Sequence, residues 1–218
     1  MELVVDKISK TIRGKLILKD ISIHMYSGKI YGFVGRNGSG KTMLLRALSG
    51  LMSVDSGLIT LDGKILKKDF SVLPNLGIIL ENASLYPNLT GMENLTYLAN
   101  LTGKIGQEEI RNSISRVGLD PEDKRNYGKY SLGMKQRLAI AQAIMEYPDI
   151  IMLDEPTNGL DEYGVDEIRQ LILEEKERGA LILLASHNSE DIRILVDHLY
   201  RIDGGGISKS SGDMSREK

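Results

Sequence analysis

Eight consecutive residues have the types and the spacing of a phosphate-binding loop: Gly35, Arg36, Asn37, Gly38, Ser39, Gly40, Lys41 and Thr42. In a Gly-x-x-x-x-Gly-Lys-Thr pattern the glycines let successive backbone N–H groups approach one anion, because side chains there would block the approach. Lys41 is expected to reach the β- and γ-phosphates of a nucleotide, and the Thr42 hydroxyl is expected to ligate Mg²⁺. The stretch therefore predicts a nucleoside triphosphate site.

The residues on either side of this loop support that prediction over an ordinary glycine-rich turn. Residues 30–34 form an apolar, β-branched and aromatic run typical of a buried strand. After the loop, apolar residues recur with helical spacing, at Met43, Leu44, Ala47, Leu48 and Leu51. A strand, a tight loop and a helix N-terminus follow one another in the order that a phosphate cradle needs.

A second apolar run, residues 150–153, ends in two adjacent acids, Asp154 and Glu155. Neighbouring residues on a strand point to opposite sides, so the two carboxylates are predicted to have different roles. Asp154 is expected to face Mg²⁺, and Glu155 to face the γ-phosphate and polarise the attacking water. The alternative for such a run, taken alone, is a solvated strand end.

His187 follows a predicted apolar strand at residues 180–185, where a neutral imidazole can hold the γ-phosphate and the attacking water. A lone histidine at a strand end is more often structural. Its place after the Asp154-Glu155 strand favours the functional role. His24 and His198 have no such context and are predicted to be structural.

The remaining pattern predicts an alternating α/β chain with helices inserted between two strands. Strands are predicted at residues 2–8, 16–26, 58–61 and 76–80, and helices at 90–101, 107–117 and 131–146. After the strand at 150–153 come a helix at 162–178, the strand at 180–185, a helix at 189–196 and a hairpin about 203–206. This predicts one domain over residues 1–218, with a core at 1–81 and 148–207, a helical lobe at 82–147 and a polar tail at 208–218.

The bulk composition limits the classes of partner. The chain has 218 residues, of which 41% are hydrophobic, which suits one globular domain. A net charge of −2, without a basic stripe, predicts no nucleic-acid partner. The absence of cysteine excludes disulfides and thiolate metal sites and fits a cytosolic location. We expect no signal peptide, and no apolar run approaches the ~18 residues of a membrane span.

Taken in order, these motifs resemble those of ABC-type ATP-binding subunits. The resemblance rests on residues 130–137, 154–161 and 186–187, and it extends over nearly the whole chain, to about residue 207. It implies a RecA-like P-loop NTPase core with an antiparallel β flap and an inserted α-helical subdomain. It also implies that Glu155 and His187 are catalytic, that His187 is the switch histidine and that Asp161 belongs to the D-loop.

By the same resemblance, residues 130–134 are the signature motif, with its key positions at Ser131, Leu132, Gly133 and Met134. Ser131 offers a helix cap, Gly133 permits close approach, and a helix N-terminus favours an anion. The resemblance implies that this anion is the γ-phosphate of ATP held by a second subunit, in a head-to-tail homodimer, with a pair formed with a similar chain as the alternative. Leu132 and Met134 depart from the usual glycine and glutamine, and a plain N-cap is the alternative role for Ser131.

Two further positions depart from the family pattern. Ile12 stands where an aromatic residue usually stacks on adenine, which predicts loose base selectivity. Glu81 stands at the position of the Q-loop glutamine and keeps an oxygen ligand for Mg²⁺. Together with the Ser-Leu-Gly-Met signature, Glu81 makes the chain similar to subunits of lantibiotic-immunity and bacitracin-resistance exporters. Neutral drift in an undemanding loop is the alternative for Glu81.

The resemblance implies a function. The chain is expected to bind and hydrolyse ATP with Mg²⁺, and so to power export of a peptide antibiotic or another small molecule through a separate polytopic permease. Such a subunit lies in the cytoplasm, on the inner face of the cell membrane. A soluble ABC-type ATPase acting in translation or DNA maintenance is one alternative, and a small-molecule kinase with the same phosphate loop is another.

Overall fold

The computed structural model describes residues 1–80 and 85–209. Its strands are β1 Glu2–Ile12, β2 Lys15–Tyr26, β3 Ile30–Val34, β4 Ser56–Leu61, β5 Lys64–Ile65, β6 Leu76–Ile79, β7 Ile150–Asp154, β8 Leu181–Ala185, β9 His198–Asp203 and β10 Gly206–Lys209. Its helices are α1 Lys41–Ser49, α2 Gly91–Thr102, α3 Gln107–Arg116, α4 Leu132–Ile144, α5 Glu162–Glu177 and α6 Ser189–Leu195, with a short 3₁₀ turn at Tyr127–Lys129.

A mainly parallel sheet forms the centre of the molecule. Within the described residues its strand order is β10-β9-β3-β8-β7-β6, and only the β9–β10 pair is antiparallel. Every residue of β7 and β8 is buried, as expected for parallel strands that are covered on both faces. The carboxyl ends of β3, β7 and β8 therefore lie side by side at one edge of the sheet.

A smaller antiparallel sheet, in the order β2-β1-β4-β5, packs over helix α1. Leu44 and Leu48 of α1 share an apolar cluster with Val5 and Ile21 of this sheet and with Phe33 of β3. Helix α1 is thus held between the two sheets. The predicted antiparallel β flap is confirmed.

Strand β1 is longer than the predicted residues 2–8, because it continues to Ile12. Register shifts lie between Val5 and Ile8 and again between Ile8 and Lys10, and Lys7 has a φ of 49°. Such bulges break the alternation of apolar and polar residues without ending the strand. The alternation of apolar and polar residues in the sequence therefore ends before the hydrogen-bonded pairing of β1 with β2 does.

Helices α2, α3 and α4 lie between β6 and β7, as the sequence predicted. Helix α2 begins with a capping box, in which Glu93 N donates to Thr90 Oγ1 at 3.2 Å and Thr90 N donates to Glu93 Oε2 at 2.7 Å. Helix α4 ends at Ile144, before the predicted residue 146. Leu95 and Leu138 of these helices share one apolar cluster with Ile151 of the sheet. The division into a core and a helical lobe stays a prediction.

The carboxyl-terminal hairpin turns at Gly204 and Gly205, as predicted, but its second strand reaches further than expected. Ser208 and Lys209, which were predicted to belong to the polar tail, are part of β10 and pair with Arg201 and Tyr200 of β9. The ladder takes up these polar residues because backbone groups, rather than apolar side chains, form it. None of the helices in the described part of the chain has the length and apolar character that a membrane crossing requires.

Candidate functional site

A cavity of about 470 Å³ opens where β3, β7 and β8 end. The carboxyl ends of parallel strands are where open α/β sheets bind ligands. Residues from the phosphate-binding loop, from the end of β7 and from the segment after β8 meet in its wall. The lining residues are Ile17, Asn37, Gly38, Gly40, Lys41, Thr42, Met43, Arg46, Asp154, Glu155, Asn158 and His187.

The phosphate-binding loop presents hydrogen-bond donors to this cavity. Lys41 is 7% exposed, and its ammonium donates to Gly35 O at 2.9 Å, back across the loop. The Ser39 hydroxyl is buried and has no hydrogen-bond partner among the described residues. Helix α1 begins after Gly40, which has a φ of 112° and provides no side-chain cap. Within the described residues, Lys41 and the start of α1 line the cavity and suit a phosphate group, whereas Ser39 does not line it.

Gly35 is required by close packing. A Cβ added there would lie 2.5 Å from Ser39 Oγ and 2.5 Å from Ile202 O. Both distances are far inside van der Waals contact, and the second involves backbone. The loop keeps its shape only with glycine at this position.

Two oxygen ligands lie together beside the loop. Thr42 Oγ1 donates to Asp154 Oδ2 at 2.5 Å, and Asp154 is 4% exposed at the end of β7. A hydroxyl and a carboxylate are hard oxygen donors, which is the type that Mg²⁺ takes, usually with one or two carboxylates and substrate phosphates. The pair therefore fits a magnesium ion.

Strand alternation is not what separates Asp154 from Glu155, and the different roles of the two carboxylates stay a prediction. Strand β7 ends at Asp154, and Glu155 follows with a φ of 51°, so the alternation no longer applies. Both carboxylates line the same cavity. A non-glycine residue in the left-handed region is uncommon, and such residues concentrate at functional sites.

Glu155 forms a close pair with His187. Its Oε2 lies 2.8 Å from His187 Nδ1 and also accepts from the His187 backbone N–H at 3.2 Å. The Glu155 side chain is 12% exposed, whereas the imidazole is 59% exposed. The carboxylate therefore holds the ring at the mouth of the cavity.

One residue at this site was missed by the sequence analysis. Gln136, on helix α4, donates from its side-chain amide to Glu155 O at 3.3 Å and to Pro156 O at 3.0 Å. In the sequence it is one member of the motif at residues 130–137. Gln136 lies 19 positions before Glu155 and 20 before Pro156, and no local sequence pattern indicates contacts over such separations.

The structure places Ile17, rather than Ile12, in the wall of the cavity. Ile12 ends β1 opposite Lys15, whereas β2 carries Ile17 over the phosphate-binding loop. A Cβ added at Gly40 would lie 3.1 Å from Ile17 O, so β2 passes close to the start of α1. The contact of Ile12 with adenine stays a prediction.

The signature residues do not line the cavity in the part of the chain that the structure describes. Ser131 caps α4 by accepting from Met134 N at 3.2 Å, and the next residue, Leu132, is 71% exposed. A Cβ on Gly133 would lie 3.0 Å from Gly159 O, so the start of α4 touches the loop before α5. Asp161 ends that loop and caps α5 by accepting from Gly164 N at 3.0 Å.

Three further positions from the sequence analysis are Glu81 and the histidines His24 and His198. Glu81 lies outside the described residues. His198 stacks on Tyr31 with ring centroids 5.0 Å apart, and burial, followed by the charge of Lys209, lowers its pKa. His24 is exposed and lies 3.6 Å from Glu2. Neither of these two described histidines lines the cavity, and their structural role stays a prediction.

Comparison with known proteins gives consistent matches. The family model described as ABC transporter matches residues 18–158. The ABC transporter ATP-binding protein YybJ of Bacillus subtilis strain 168 is 46% identical over 203 residues, which cover 93% of each chain. The bacitracin transport ATP-binding protein BcrA of Bacillus licheniformis is 44% identical over 86% of this chain and 62% of its own.

A lantibiotic transport protein and a solved structure extend these matches. The lantibiotic transport ATP-binding protein SrtF of Streptococcus pyogenes is 35% identical over 94% of this chain and 88% of its own. A solved structure of the ATP-binding subunit of an ABC transporter superimposes with a TM-score of 0.86 and 25% identity, covering 98% of this chain and 91% of the other. The RecA-like fold predicted from the motifs is confirmed by this superposition.

Proposed function

Because the chain belongs to the ABC transporter ATP-binding family, we propose that it hydrolyses ATP to power a separate membrane permease that exports a peptide antibiotic or a similar small molecule. ATP hydrolysis is the activity of the family to which the chain belongs. The cargo class is supported by the relatives BcrA and SrtF, whose names specify bacitracin and lantibiotic transport. The chain spans 62% of the length of BcrA but 88% of SrtF.

The observation that carries the proposal is the convergence of three groups in one cavity: the donors of the phosphate-binding loop, the Thr42–Asp154 pair and the Glu155–His187 pair. Lys41 and the loop N–H groups bind the phosphates of ATP. Thr42 and Asp154 would hold Mg²⁺, which neutralises charge on the phosphates when it is bound. Glu81 is proposed as a further ligand.

Glu155 is proposed as the general base. Its carboxylate takes a proton from the water that attacks the γ-phosphate. An ionised carboxylate can only accept hydrogen bonds, so we propose that Nδ1 of His187 donates to Glu155 Oε2 across the 2.8 Å contact. Nε2 of His187 then accepts from the same water and orients it.

The signature residues are proposed to complete the site of a second copy. Ser131 and Leu132 are exposed, and they lie away from the cavity of their own chain. In a head-to-tail homodimer, the start of α4 from one copy would close the cavity of the other over the γ-phosphate. Leu132 and Met134 would contribute apolar contacts there, and Asp161 would face the partner copy.

The proposed location is the inner face of the cell membrane, where the subunit docks on a polytopic permease. No nucleic-acid partner is proposed, since the net charge is −2. A soluble ABC-type ATPase without a transport role is less well supported, because YybJ, BcrA and SrtF are all named for transport.

Glu155→Gln tests the catalytic assignment. The amide cannot accept the proton of water, so kcat is expected to fall about 10²- to 10⁴-fold, with ATP binding retained. Phosphate release and binding of labelled ATP are the two measurements. Glu177→Gln is the matched control, since Glu177 is exposed at the end of α5. Hydrolysis by Glu155→Gln at the rate of the control would contradict the proposal.

A further inference from the structure

We propose that Gln136 is a positioning residue for hydrolysis, which fixes the backbone of Glu155 and connects it to the helix that carries the signature residues. The inference rests on the proposed role of Glu155 as the general base. Gln136 itself does not line the cavity, within the described residues, so its effect must pass through Glu155.

The backbone at Glu155 needs support from its surroundings. Its φ of 51° is uncommon for a residue with a side chain. Its N–H donates to Ala185 O at 2.8 Å, which connects it to the end of β8. Its carbonyl accepts from Asn158 N at 3.2 Å and from the Gln136 amide at 3.3 Å. Gln136 thus contributes a hydrogen bond to this turn from helix α4, outside the sheet and the loops that join its strands.

The Gln136 amide holds two successive carbonyl groups. It donates to Pro156 O at 3.0 Å as well as to Glu155 O. The NH₂ group of a glutamine carries two hydrogens, so it can serve both oxygens. Holding both carbonyls limits rotation of the peptide between residues 155 and 156. The direction in which the Glu155 side chain leaves the backbone is fixed as a consequence.

Helix α4 makes a second contact with the same loop near its own start. An added Cβ on Gly159 would lie 2.7 Å from the Leu132 side chain, and one on Gly133 would lie 3.0 Å from Gly159 O. Gln136 follows Ser131 by five residues, about 7.5 Å along the helix axis. The loop from residue 155 to residue 159 therefore rests against α4 at both ends.

This arrangement connects the two proposed nucleotide sites of a dimer. The start of α4 would bind the phosphate held by the partner copy, while Gln136 holds Glu155 of its own copy. A shift of α4 on engagement with the partner's nucleotide would reach the Glu155 carboxylate through the amide of Gln136. Gln136 thus connects the start of α4 to Glu155 of the same copy.

Gln136→Met tests this inference, because it keeps the length of the side chain and removes both hydrogen-bond donors. Misplacement of a catalytic group lowers the rate of the chemical step, so kcat is expected to fall about 10- to 100-fold. The KM for ATP should change less than about twofold, since Lys41 and Thr42 are untouched. Steady-state hydrolysis over a range of ATP concentrations separates the two constants.

Two variants distinguish positioning from a purely structural role. Gln136→Lys retains a donor of similar reach and should recover part of kcat, whereas Gln136→Glu places acceptors against two carbonyl oxygens and should not. Gln142→Met removes an amide from the other end of α4 and should leave kcat unchanged. Thermal unfolding is measured for these three variants and for Gln136→Met, to confirm that all four are folded. Equal kcat values for Gln136→Lys and Gln136→Met would count against the inference.

Mixed dimers test whether Gln136 acts on Glu155 of its own chain. One pair joins a Glu155→Gln copy to a Gln136→Met copy, so the remaining Glu155 lacks its Gln136. The other joins a copy with both substitutions to a wild-type copy, so the remaining Glu155 keeps its Gln136. Differently tagged copies allow each pair to be purified, and the first pair is expected to hydrolyse ATP at least tenfold more slowly.

The outcomes separate this inference from the proposed function. If Glu155→Gln lowers kcat while Gln136→Met does not, or if both mixed dimers are equally active, the role of Gln136 is wrong and the function stands. If Gln136→Met raises KM and leaves kcat unchanged, the positioning role is also wrong. If Glu155→Gln hydrolyses ATP normally, the proposed general base fails, and the role of Gln136 fails with it.

Discussion

Thr42 and Asp154 are separated by 112 positions in the chain, yet their oxygens lie 2.5 Å apart. The pair joins the start of helix α1 to the end of strand β7, against which the helix packs. The same holds for Glu155 and His187, which are 32 positions apart and share a contact of 2.8 Å. At the scale of residues, each proposed role depends on a partner contributed by a different element.

The Thr42 hydroxyl is expected to determine the response to Mg²⁺. Thr42→Val keeps the shape of the side chain but removes the oxygen ligand, so more Mg²⁺ should be needed and kcat should fall at least about tenfold. Thr42→Ser keeps the hydroxyl and should behave like the wild type. Hydrolysis measured over a series of Mg²⁺ concentrations checks both variants. Superimposable curves for valine and serine would exclude Thr42 as a ligand.

At the scale of elements, the helix starts differ in how they are capped. Side chains of Thr90, Ser131 and Asp161 cap helices α2, α4 and α5, and each accepts a backbone N–H of the first turn. Helices α1 and α3 follow Gly40 and Gly106 and receive no side-chain cap, but of these two glycines only Gly40 lines the cavity. The first N–H groups of α1 are therefore left for a ligand, and the positive end of the helix dipole favours an anion.

Packing between β6 and α4 requires glycine at residue 77. A Cβ added to Gly77 would lie 1.9 Å from Ala143 O, a backbone atom that can move only with its helix. Gly77→Ala is expected to lower the free energy of unfolding by about 2–3 kcal/mol, because overpacking forces the strand and the helix apart. Denaturant unfolding measures this change.

Gly206→Ala is the matched control for this packing prediction. The nearest atom to an added Cβ at Gly206 is Asp203 O, at 3.6 Å, which is ordinary contact. Its midpoint of unfolding should stay close to that of the wild type. If Gly77→Ala unfolds at the same denaturant concentration as Gly206→Ala, β6 and α4 have room for an added methyl group and the packing prediction is wrong.

At the scale of the whole molecule, the chain has two separate surfaces with proposed roles toward ATP. One is the cavity at the carboxyl ends of the parallel strands, and the other is the exposed start of α4 beside Gly159. Since the second surface does not line the cavity of its own chain, within the described residues, a head-to-tail pair of copies is needed to bring the two together.

Ser131→Ala tests this pairing against the simple loss of a helix cap. Removing the cap should cost about 1 kcal/mol of stability, and Thr90→Ala removes an equivalent cap from α2 at a similar cost. Only Ser131→Ala is expected to lower ATP hydrolysis, by at least about tenfold. In a Glu155→Gln background it should also weaken the ATP-dependent dimer, as measured by light scattering.

Two results would contradict the pairing. The first is equal hydrolysis by Ser131→Ala and Thr90→Ala, which would leave Ser131 with a capping role alone. The second is a Glu155→Gln protein that binds ATP and stays monomeric at every concentration tested.

Features encoded by contiguous residues could be predicted from the sequence. The phosphate-binding loop is eight adjacent residues, and Thr90 and Glu93 indicate the start of α2 within four positions. Most strands and helices followed from apolar periodicity, because periodicity is a local property of the chain. The bulges of β1 carried that strand past the predicted end at residue 8, and the left-handed turn at Glu155 is not marked by any local pattern.

The sequence by itself determined the order of elements, the phosphate-binding chemistry and the family. Only the tertiary structure decided that β3 lies between β8 and β9, that Ile17 lines the cavity and that Gln136 holds the turn at Glu155. Parallel strands are joined by long crossovers, so adjacent residues do not specify which strands become neighbours. The contacts that follow from strand order therefore arise only when the whole sheet has assembled.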